Sequence, residues 1–409
     1  MKTIILGAGP IGLATAYELA KQGVEVTVIS PKTSTGEAGH VNAGWVVPIM
    51  SAPVPAPGAL KKSIKWLTDS QSPLKISTEL SWGHISFMLS MLRFSTKREF
   101  LHGFAALSEF GRGTLNAFDQ YIKEGVEFEI HRSGVLMAFS SQAELDSHAI
   151  EFEGVESYGL KPVKVLTGDQ MRSREPLLSS FVTQGIDCHD QYFLDPSSFI
   201  RGLRLKCEIL GVTFIETDSE INLRTGTSKA AVLLGDSKID SENIVIAAGA
   251  QSRELLSQAK IRCPVRFGKG YCFDFVGEKR IKSALYLSGA KIAVTPNSDY
   301  LRFAGTMEFG GKESRIDLKR AQGILRNSAQ YFTEDLTQDV APKVGLRPMT
   351  PDGLPVIGKV QNISNLYIAS GHAMQGVTLA PNTGKVVAQL LLKRESEIDI
   401  SSFSPNRFK

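Results

Sequence analysis

The stretch KTIILGAGPIG at residues 2–12 decides the fold of this 409-residue chain. A short apolar strand runs into a GxGxxG motif, an alanine-rich helical segment follows, and a second apolar strand is predicted over residues 24–29. Gly7 permits a tight turn, Gly9 lets the backbone approach a pyrophosphate, and Gly12 lets the helix lie close to the strand. The order strand, glycine turn, helix and strand therefore predicts a dinucleotide-binding unit.

The end of the second predicted strand departs from the usual pattern. An acidic residue commonly stands about 20 residues after the glycines, where it binds the adenosine ribose. Here that place holds Ser30, followed by Pro31 and Lys32. A hydroxyl beside a lysine is also compatible with a 2′-phosphate, so these residues leave FAD and NADP both open.

Composition excludes several classes of protein. The chain is 42% hydrophobic and 22% charged with a net charge of +4, which is typical of a globular protein with room for two domains. No run of basic residues supports nucleic-acid binding. Four cysteines without a CxxC pair predict neither a metal site nor a disulfide framework, and they fit a reduced, cytoplasmic setting.

An apolar stretch at residues 80–94 is the main candidate for contact with a membrane. It is too short to cross a bilayer, and no signal peptide is apparent. Arg93, Lys97 and Arg98 near its end would suit lipid headgroups, so residues 80–98 are a candidate peripheral contact on the inner face of the cell membrane. An apolar helix packed on the body of the protein is the alternative.

The pattern along the chain predicts two interleaved domains. Prolines at 53, 55 and 57 mark an extended exit from the nucleotide-binding unit, residues 60–125 read as helical, and residues 126–140 and 264–310 read as strands. We predict a nucleotide-binding domain formed by residues 1–48, 193–262 and 340–409, and a substrate-binding domain formed by residues 49–192 and 263–339.

Two late segments carry a family resemblance. These are GLRPMTPDGLPVIG at residues 345–358 and SGHAMQGVTLAPNTG at residues 370–384. Together with the glycine opening, they resemble the D-amino-acid oxidase superfamily of FAD enzymes, and most of all its bacterial D-amino acid dehydrogenase branch. The resemblance implies an α/β fold (α+β overall), in which a Rossmann-like FAD-binding domain carries an inserted substrate domain of antiparallel sheet and helices. It also implies noncovalently bound FAD.

The resemblance implies oxidative deamination of a free amino acid, with hydride transfer from the α-carbon to flavin N5 and a quinone or oxygen as electron acceptor. A D-amino acid is the expected substrate. Oxidation of a cyclic or secondary amino acid, as in the related glycine oxidases and proline dehydrogenases, is an alternative. An NADP-dependent dehydrogenase and a noncatalytic flavoprotein also remain open.

Site residues follow from the same resemblance. Arg347 is expected to bind the substrate carboxylate, because its planar guanidinium donates two parallel hydrogen bonds. Tyr271 is a second candidate for that carboxylate, and His372 is a candidate near the flavin or the substrate amine; Ala290 stands where the dehydrogenase branch tends to have a tyrosine. The expected cofactor-binding residues are Gly7, Ala8, Gly9, Pro10, Ile11, Gly12, Ser30, Pro31, Lys32, Asn42, Ala43, Gly44, Trp45, Ile221, Ala248, Gly249, Gly371, Met374, Gln375, Gly376, Val377 and Thr378.

Overall fold

The computed structural model describes residues 1–33, 36–57, 74–76, 81–226, 229–277, 280–313 and 315–408. The α-helices of these residues are α1 (Pro10–Ala20), α2 (Ala38–Val41), α3 (Trp82–Phe94), α4 (Lys97–Gly111), α5 (Thr114–Lys123), α6 (Gln142–Ala149), α7 (Gly168–Arg174), α8 (Pro196–Ile209), α9 (Ser252–Gln258), α10 (Leu318–Ala329) and α11 (Ala380–Leu391). Short 3₁₀ helices lie at Ile150–Phe152, Val155–Tyr158, Gly249–Gln251 and Ser401–Phe403.

The strands are β1 (Lys2–Leu6), β2 (Glu25–Pro31), β3 (Trp45–Val46), β4 (Leu74–Ile76), β5 (Ile130–His131), β6 (Val135–Phe139), β7 (Lys164–Thr167), β8 (Gln184–Cys188), β9 (Tyr192–Leu194), β10 (Thr213–Thr217), β11 (Ile221–Thr225), β12 (Ala230–Leu234), β13 (Ser237–Ile239), β14 (Asn243–Ile246), β15 (Arg266–Val276), β16 (Ala284–Leu287), β17 (Ile292–Pro296), β18 (Tyr300–Phe309), β19 (Lys343–Met349), β20 (Val356–Lys359) and β21 (Leu366–Ser370). They form two large sheets and two small ones.

The first large sheet is the predicted nucleotide-binding sheet. Among the described residues its strand order is β10-β2-β1-β14-β21-β20, with every neighbouring pair parallel except the last. Ile5 packs with α1 and α11 on one face, whereas Ile4 and Leu6 belong to a second apolar cluster on the other face. Burial on both faces explains why β1 is an unbroken apolar run.

The second large sheet is mostly antiparallel. Its order across the described strands is β19-β15-β18-β17-β16-β6-β8-β7, and β4 pairs with β18 beside it. The predicted substrate-binding segments supply most of these strands. The exception is β19, which lies C-terminal to the predicted boundary at residue 340 but pairs with β15 over seven residues, from Arg266↔Met349 to Cys272↔Lys343. The strand that carries Arg347 is therefore an edge of the second sheet.

One arginine ties the loop after α2 to the second sheet. Arg302 on β18 is 2% exposed, and its Nη1 donates to the backbone oxygens of His40 at 2.9 Å and Asn42 at 2.7 Å. Its Nε and Nη2 donate to the two carboxylate oxygens of Asp274 at 2.7 and 2.9 Å. These four hydrogen bonds fix the position of the loop that follows α2 against the second sheet.

The predicted helical region 60–125 is only partly correct. Residues 58–73 and 77–80 lie outside the described residues, and α3, α4 and α5 occupy most of 82–123. Residues 74–76 instead form β4, because the exposed edge of β18 offers backbone hydrogen-bond partners at Met307–Phe309. Tertiary pairing of this kind overrides local sequence preference.

Close backbone contacts hold α1 in place at two glycines. A Cβ added at Gly12 would lie 1.9 Å from the backbone oxygen of Gly7, and one added at Gly384 on α11 would lie 2.6 Å from the backbone of Ala14. Gly7 itself has φ +118, and an added Cβ there would meet the Ala247 oxygen at 2.5 Å. Each site lacks the space for a side chain, so β1, α1 and α11 approach one another more closely than larger residues permit.

We therefore expect Gly12→Ala to destabilise the apoprotein by about 1–3 kcal/mol, the usual cost of overpacking. Gly9→Ala is the matched control, since an added Cβ at Gly9 meets nothing within 4 Å. Urea unfolding of both apoproteins measures the difference. Equal free energies of unfolding for the two variants would show that the contact at Gly12 relaxes without cost.

Candidate active site

A cavity of about 1790 Å³ lies between the two large sheets. It extends from the carboxyl ends of β1, β2 and β10 to β17, β18 and β19 of the second sheet. The carboxyl ends of parallel strands are where such sheets bind ligands. Of the predicted site residues, the cavity lining includes Arg347, His372, Gly7, Ala8, Gly9, Pro10, Ile11, Ser30, Pro31, Lys32, Asn42, Ala43, Gly44, Trp45, Ile221, Ala248, Gly249, Met374, Gln375, Gly376, Val377 and Thr378.

The phosphate end of the cavity is formed by the first glycine turn. Gly9 caps α1, Pro10 occupies its first turn, and that turn contains no acidic residue. A Cβ added at Gly9 would meet no atom within 4 Å, so the space beside this residue is open. That space lies at the N-terminus of the helix. Free backbone N–H groups and the helix dipole favour an anion there, and the open backbone admits a pyrophosphate. Gly12 is not part of the lining; it serves the close contact between α1 and β1.

The small-residue loop at 42–44 and the adjoining Trp45 are held by side chains from both directions. Asn42 Nδ2 donates to the backbone oxygen of Ala38 at 3.0 Å, and its Oδ1 accepts from the N–H of Gly44 at 2.7 Å. Thr295 on β17 accepts from Trp45 Nε1 at 2.9 Å and donates to the Ala43 oxygen at 2.8 Å. The hydrogen bonds therefore fix the part of the cavity wall that this loop forms.

The second glycine-rich turn leads into α11. Gln375 Nε2 donates to the Met50 oxygen at 2.8 Å, and Thr378 Oγ1 donates to the Trp45 oxygen at 3.0 Å. These bonds join the turn to the loop on the opposite wall. Gly371 lies behind the turn at φ +80, where an added Cβ would meet Thr350 at 2.7 Å, so it shapes the turn without lining the cavity.

His372 is a buried, neutral histidine. It is 3% exposed, and its Nε2 lies 3.0 Å from Thr383 Oγ1 on α11. Burial lowers the pKa of His372 to about 3, because the charged imidazolium loses its hydration. A neutral imidazole beside the cavity can take part in hydrogen bonds but carries no charge at neutral pH.

Arg347 lies at the other end of the cavity with its guanidinium against Gly270. A Cβ at Gly270 would be 2.1 Å from Arg347 Nη1, so the absence of a side chain at that position makes room for the guanidinium. Nη1 donates to the backbone oxygen of Thr306 at 2.8 Å. Burial lowers the pKa of Arg347 to about 10, which still leaves it charged at neutral pH. In the described part of the chain, no carboxylate forms an ion pair with it.

Tyr271 lies outside the cavity. It is 1% exposed, its hydroxyl donates to Glu308 Oε2 at 2.6 Å, and it accepts from the N–H of Asp317 at 3.2 Å. Lys269, also 1% exposed, pairs with Glu308 at 3.1 Å and donates to the oxygens of Lys312 and Arg315. The alternation of β15 sends the side chains of both residues to the face opposite Gly270. Tyr271 thus anchors the segment after β18.

Sequence reasoning missed a polar cluster in the cavity wall. Lys291 Nζ lies 3.0 Å from His148 Nε2, and His148 Nδ1 lies 3.3 Å from Glu151 Oε1. Tyr286 lies beside them, with Lys291 Nζ 5.7 Å from the centre of its ring. All four residues line the cavity. They come from segments more than 130 residues apart, so no local motif marks them.

The family match decides the cofactor. Residues 2–390 match the DAO family, described as FAD dependent oxidoreductase. The chain belongs to this family. The open backbone at Gly9, the helix N-terminus and the length of the cavity fit FAD, so the NADP alternative is set aside. No group of three or more His, Cys, Asp or Glu side chains among the described residues is arranged to hold a metal ion.

Curated relatives and solved structures agree with this membership. A D-amino acid dehydrogenase of Rhodopseudomonas palustris is 32% identical over 423 aligned positions, covering 100% of this chain and 98% of the relative. Iminodiacetate oxidase from Chelativorans sp. BNC1 has a TM-score of 0.78 at 19% identity, with 98% of each chain covered. Glycine oxidase from Geobacillus kaustophilus has a TM-score of 0.75 at 21% identity, covering 100% of this chain and 98% of that one. The two structures show the shared fold.

The buried His372 predicts a pH dependence of stability. Its folded pKa of about 3 lies below the ordinary value of 6.5, so the unfolded state binds more protons between those two pH values. Stability that is fully present above pH 6.5 is therefore lost as the pH falls, by up to about 1.4 kcal/mol per pH unit. Denaturant unfolding from pH 7 to 5 should show a shallower decline for His372→Gln than for the wild type. The control, His102→Gln on the exposed face of α4, should follow the wild type; a His372→Gln curve parallel to the wild type would contradict the assignment.

Proposed function

We propose that this protein oxidises a free amino acid, expected to be a D-amino acid, whose carboxylate binds Arg347. The observation that carries the proposal is a partly buried guanidinium that lines the cavity with a backbone oxygen, and no described carboxylate, as its partner. A partly desolvated cation without a counter-ion is unfavourable, so a substrate carboxylate that pairs with it gains a strong, charge-assisted contact. The name of the curated D-amino acid dehydrogenase relative supports the same substrate class.

The residues of the chain orient the substrate and leave the redox step to the cofactor. When bound, FAD supplies the acceptor for the hydride of the substrate α-carbon. Arg347 fixes the carboxylate at the end of the cavity near Gly270 and Thr306, which sets the position of the α-carbon along the cavity. The imino acid product hydrolyses in water to a keto acid and ammonia.

The N-terminus of α11 stabilises negative charge. Its first turn holds no acidic residue, and the residues leading into it, Gln375 to Thr378, line the cavity. The positive end of the helix dipole would therefore favour negative charge on a reduced cofactor bound beside this turn. We assign this role to the turn, and we assign to His372 the role of a neutral support that bonds the turn to Thr383.

Helix α3 is proposed as a peripheral membrane contact through which a quinone reaches the cavity; oxygen is the alternative acceptor. Met88 and Met91 line the cavity, whereas Trp82 and Leu89 on the same helix are 84% and 62% exposed. The exposed basic residues that follow, Arg93, Lys97 and Arg98, suit anionic headgroups. No helix in the described ranges has the length and hydrophobicity to span a bilayer.

Substitution of Arg347 tests the substrate assignment. Arg347→Lys keeps the charge but loses the bidentate geometry, and Arg347→Ala removes both. Loss of one partner of a buried charge pair costs about 3–5 kcal/mol, so we expect Arg347→Ala to lower kcat/KM by about two to four orders of magnitude. The FAD content and visible spectrum should stay unchanged. Near-normal turnover of amino acids by Arg347→Ala would place the carboxylate contact elsewhere.

Vesicle co-sedimentation tests the membrane contact. Trp82→Ser/Leu89→Ser should lose most binding to vesicles containing anionic lipid, while turnover with a soluble dye acceptor is retained. The control, Leu205→Ser/Ile209→Ser, removes two exposed apolar side chains from α8 and should bind vesicles like the wild type. Failure of the wild-type protein to sediment with vesicles, or equal loss in both double variants, would refute the proposed contact.

A further inference from the structure

The serine at the end of β2 has an acidic neighbour on the adjacent strand. Ser30 is in register with Glu216 of the parallel strand β10. Neighbouring strands lie about 4.8 Å apart, and residues in register point to the same face of a sheet. Both residues line the cavity. The carboxylate missing from β2 is thus present one strand away.

The Glu216 carboxylate is held in place by Arg204 on α8. Arg204 Nη1 donates to Glu216 Oε1, and its Nε donates to Glu208 Oε1 at 3.1 Å. The guanidinium also stacks over the Phe214 ring, 4.6 Å from its centre. Because Glu208 and the Phe214 ring restrain Arg204, this arginine limits the positions that the Glu216 side chain can adopt. Fewer positions mean a lower entropy cost of binding a ligand.

The other acidic residues near this end of the cavity are less suited to the same role. Asp218 forms an ion pair with Lys32 at 2.5 Å and is not part of the cavity lining. Glu220 does line the cavity, but it lies three residues beyond the end of β10. Of these three residues, only Glu216 both lies in register with Ser30 and lines the cavity.

We propose that Glu216 accepts hydrogen bonds from the adenosine ribose hydroxyls of FAD, in place of the acidic residue that usually ends β2. The proposal rests on the FAD dependence that the family match shows. A carboxylate accepts hydrogen bonds from ribose hydroxyls.

The affinity of the apoprotein for FAD tests this role without any assay of turnover. FAD is titrated into apoprotein, and binding is followed by quenching of flavin fluorescence. Glu216→Ala should raise the Kd about 10-fold to 100-fold, the range for one lost hydrogen bond to a charged group. Glu208→Ala is the matched control, because Glu208 also binds Arg204 and its side chain is equally exposed, at 43%, but it does not line the cavity.

Rescue from the neighbouring strand distinguishes ribose binding from a structural effect. Ser30→Glu in the Glu216→Ala background returns a carboxylate to the usual place, and we expect it to recover most of the lost affinity. An unchanged Kd for Glu216→Ala, an equal loss in Glu208→Ala, failure of the rescue, or a loss that appears instead in Glu220→Ala would each overturn the proposal. Wild-type apoprotein that does not bind FAD would contradict the cofactor assignment itself.

Discussion

The structure depends on the close approach of three backbone segments at the first glycine turn. Gly7 lies against Ala247 at the end of β14, and Gly12 lies against Gly7 itself, with no space for a side chain at either contact. This closeness fixes α1 so that its N-terminus faces the cavity. Gly384 likewise lets α11 lie close to α1, so a backbone contact without room for a side chain also positions the second helix N-terminus. Backbone sterics therefore position both helix N-termini beside the cavity.

The second sheet carries Arg347, the proposed substrate-binding residue, and Arg302 joins this sheet to the loop after α2. Its bonds to Asp274 and to the backbone at His40 and Asn42 hold the small-residue loop against β18. Arg347 on β19 occupies the space left by Gly270 on β15. The proposed cofactor site on the first sheet and the proposed carboxylate site on the second thus face one cavity, which is the arrangement that amino-acid oxidation requires.

Local motifs predicted much of this arrangement, because glycine turns and the GLRP segment carry their chemistry within a few residues. The glycine fingerprint predicted β1, α1 and β2, and the late motif placed Arg347 in the cavity lining. What the sequence did not reveal depends on pairing between distant strands. The register of Ser30 with Glu216 and the meeting of His148 with Lys291 exist only in the folded chain. Tyr271 was expected beside the substrate carboxylate, but its side chain lies on the face of β15 opposite Gly270. Gly270 is the residue that makes room for Arg347.

The central claim is that a free carboxylate, bound by Arg347, positions the α-carbon of an amine substrate for reduction of the bound flavin. Anaerobic bleaching of the visible flavin absorbance measures this directly, using D- and L-amino acids, cyclic imino acids and the amide of each acid. The account predicts rapid bleaching by at least one free amino acid, expected to belong to the D-series, and a large loss of rate for the matching amide. Bleaching by an amide as fast as by its acid, or no bleaching by any free amino acid, would contradict it.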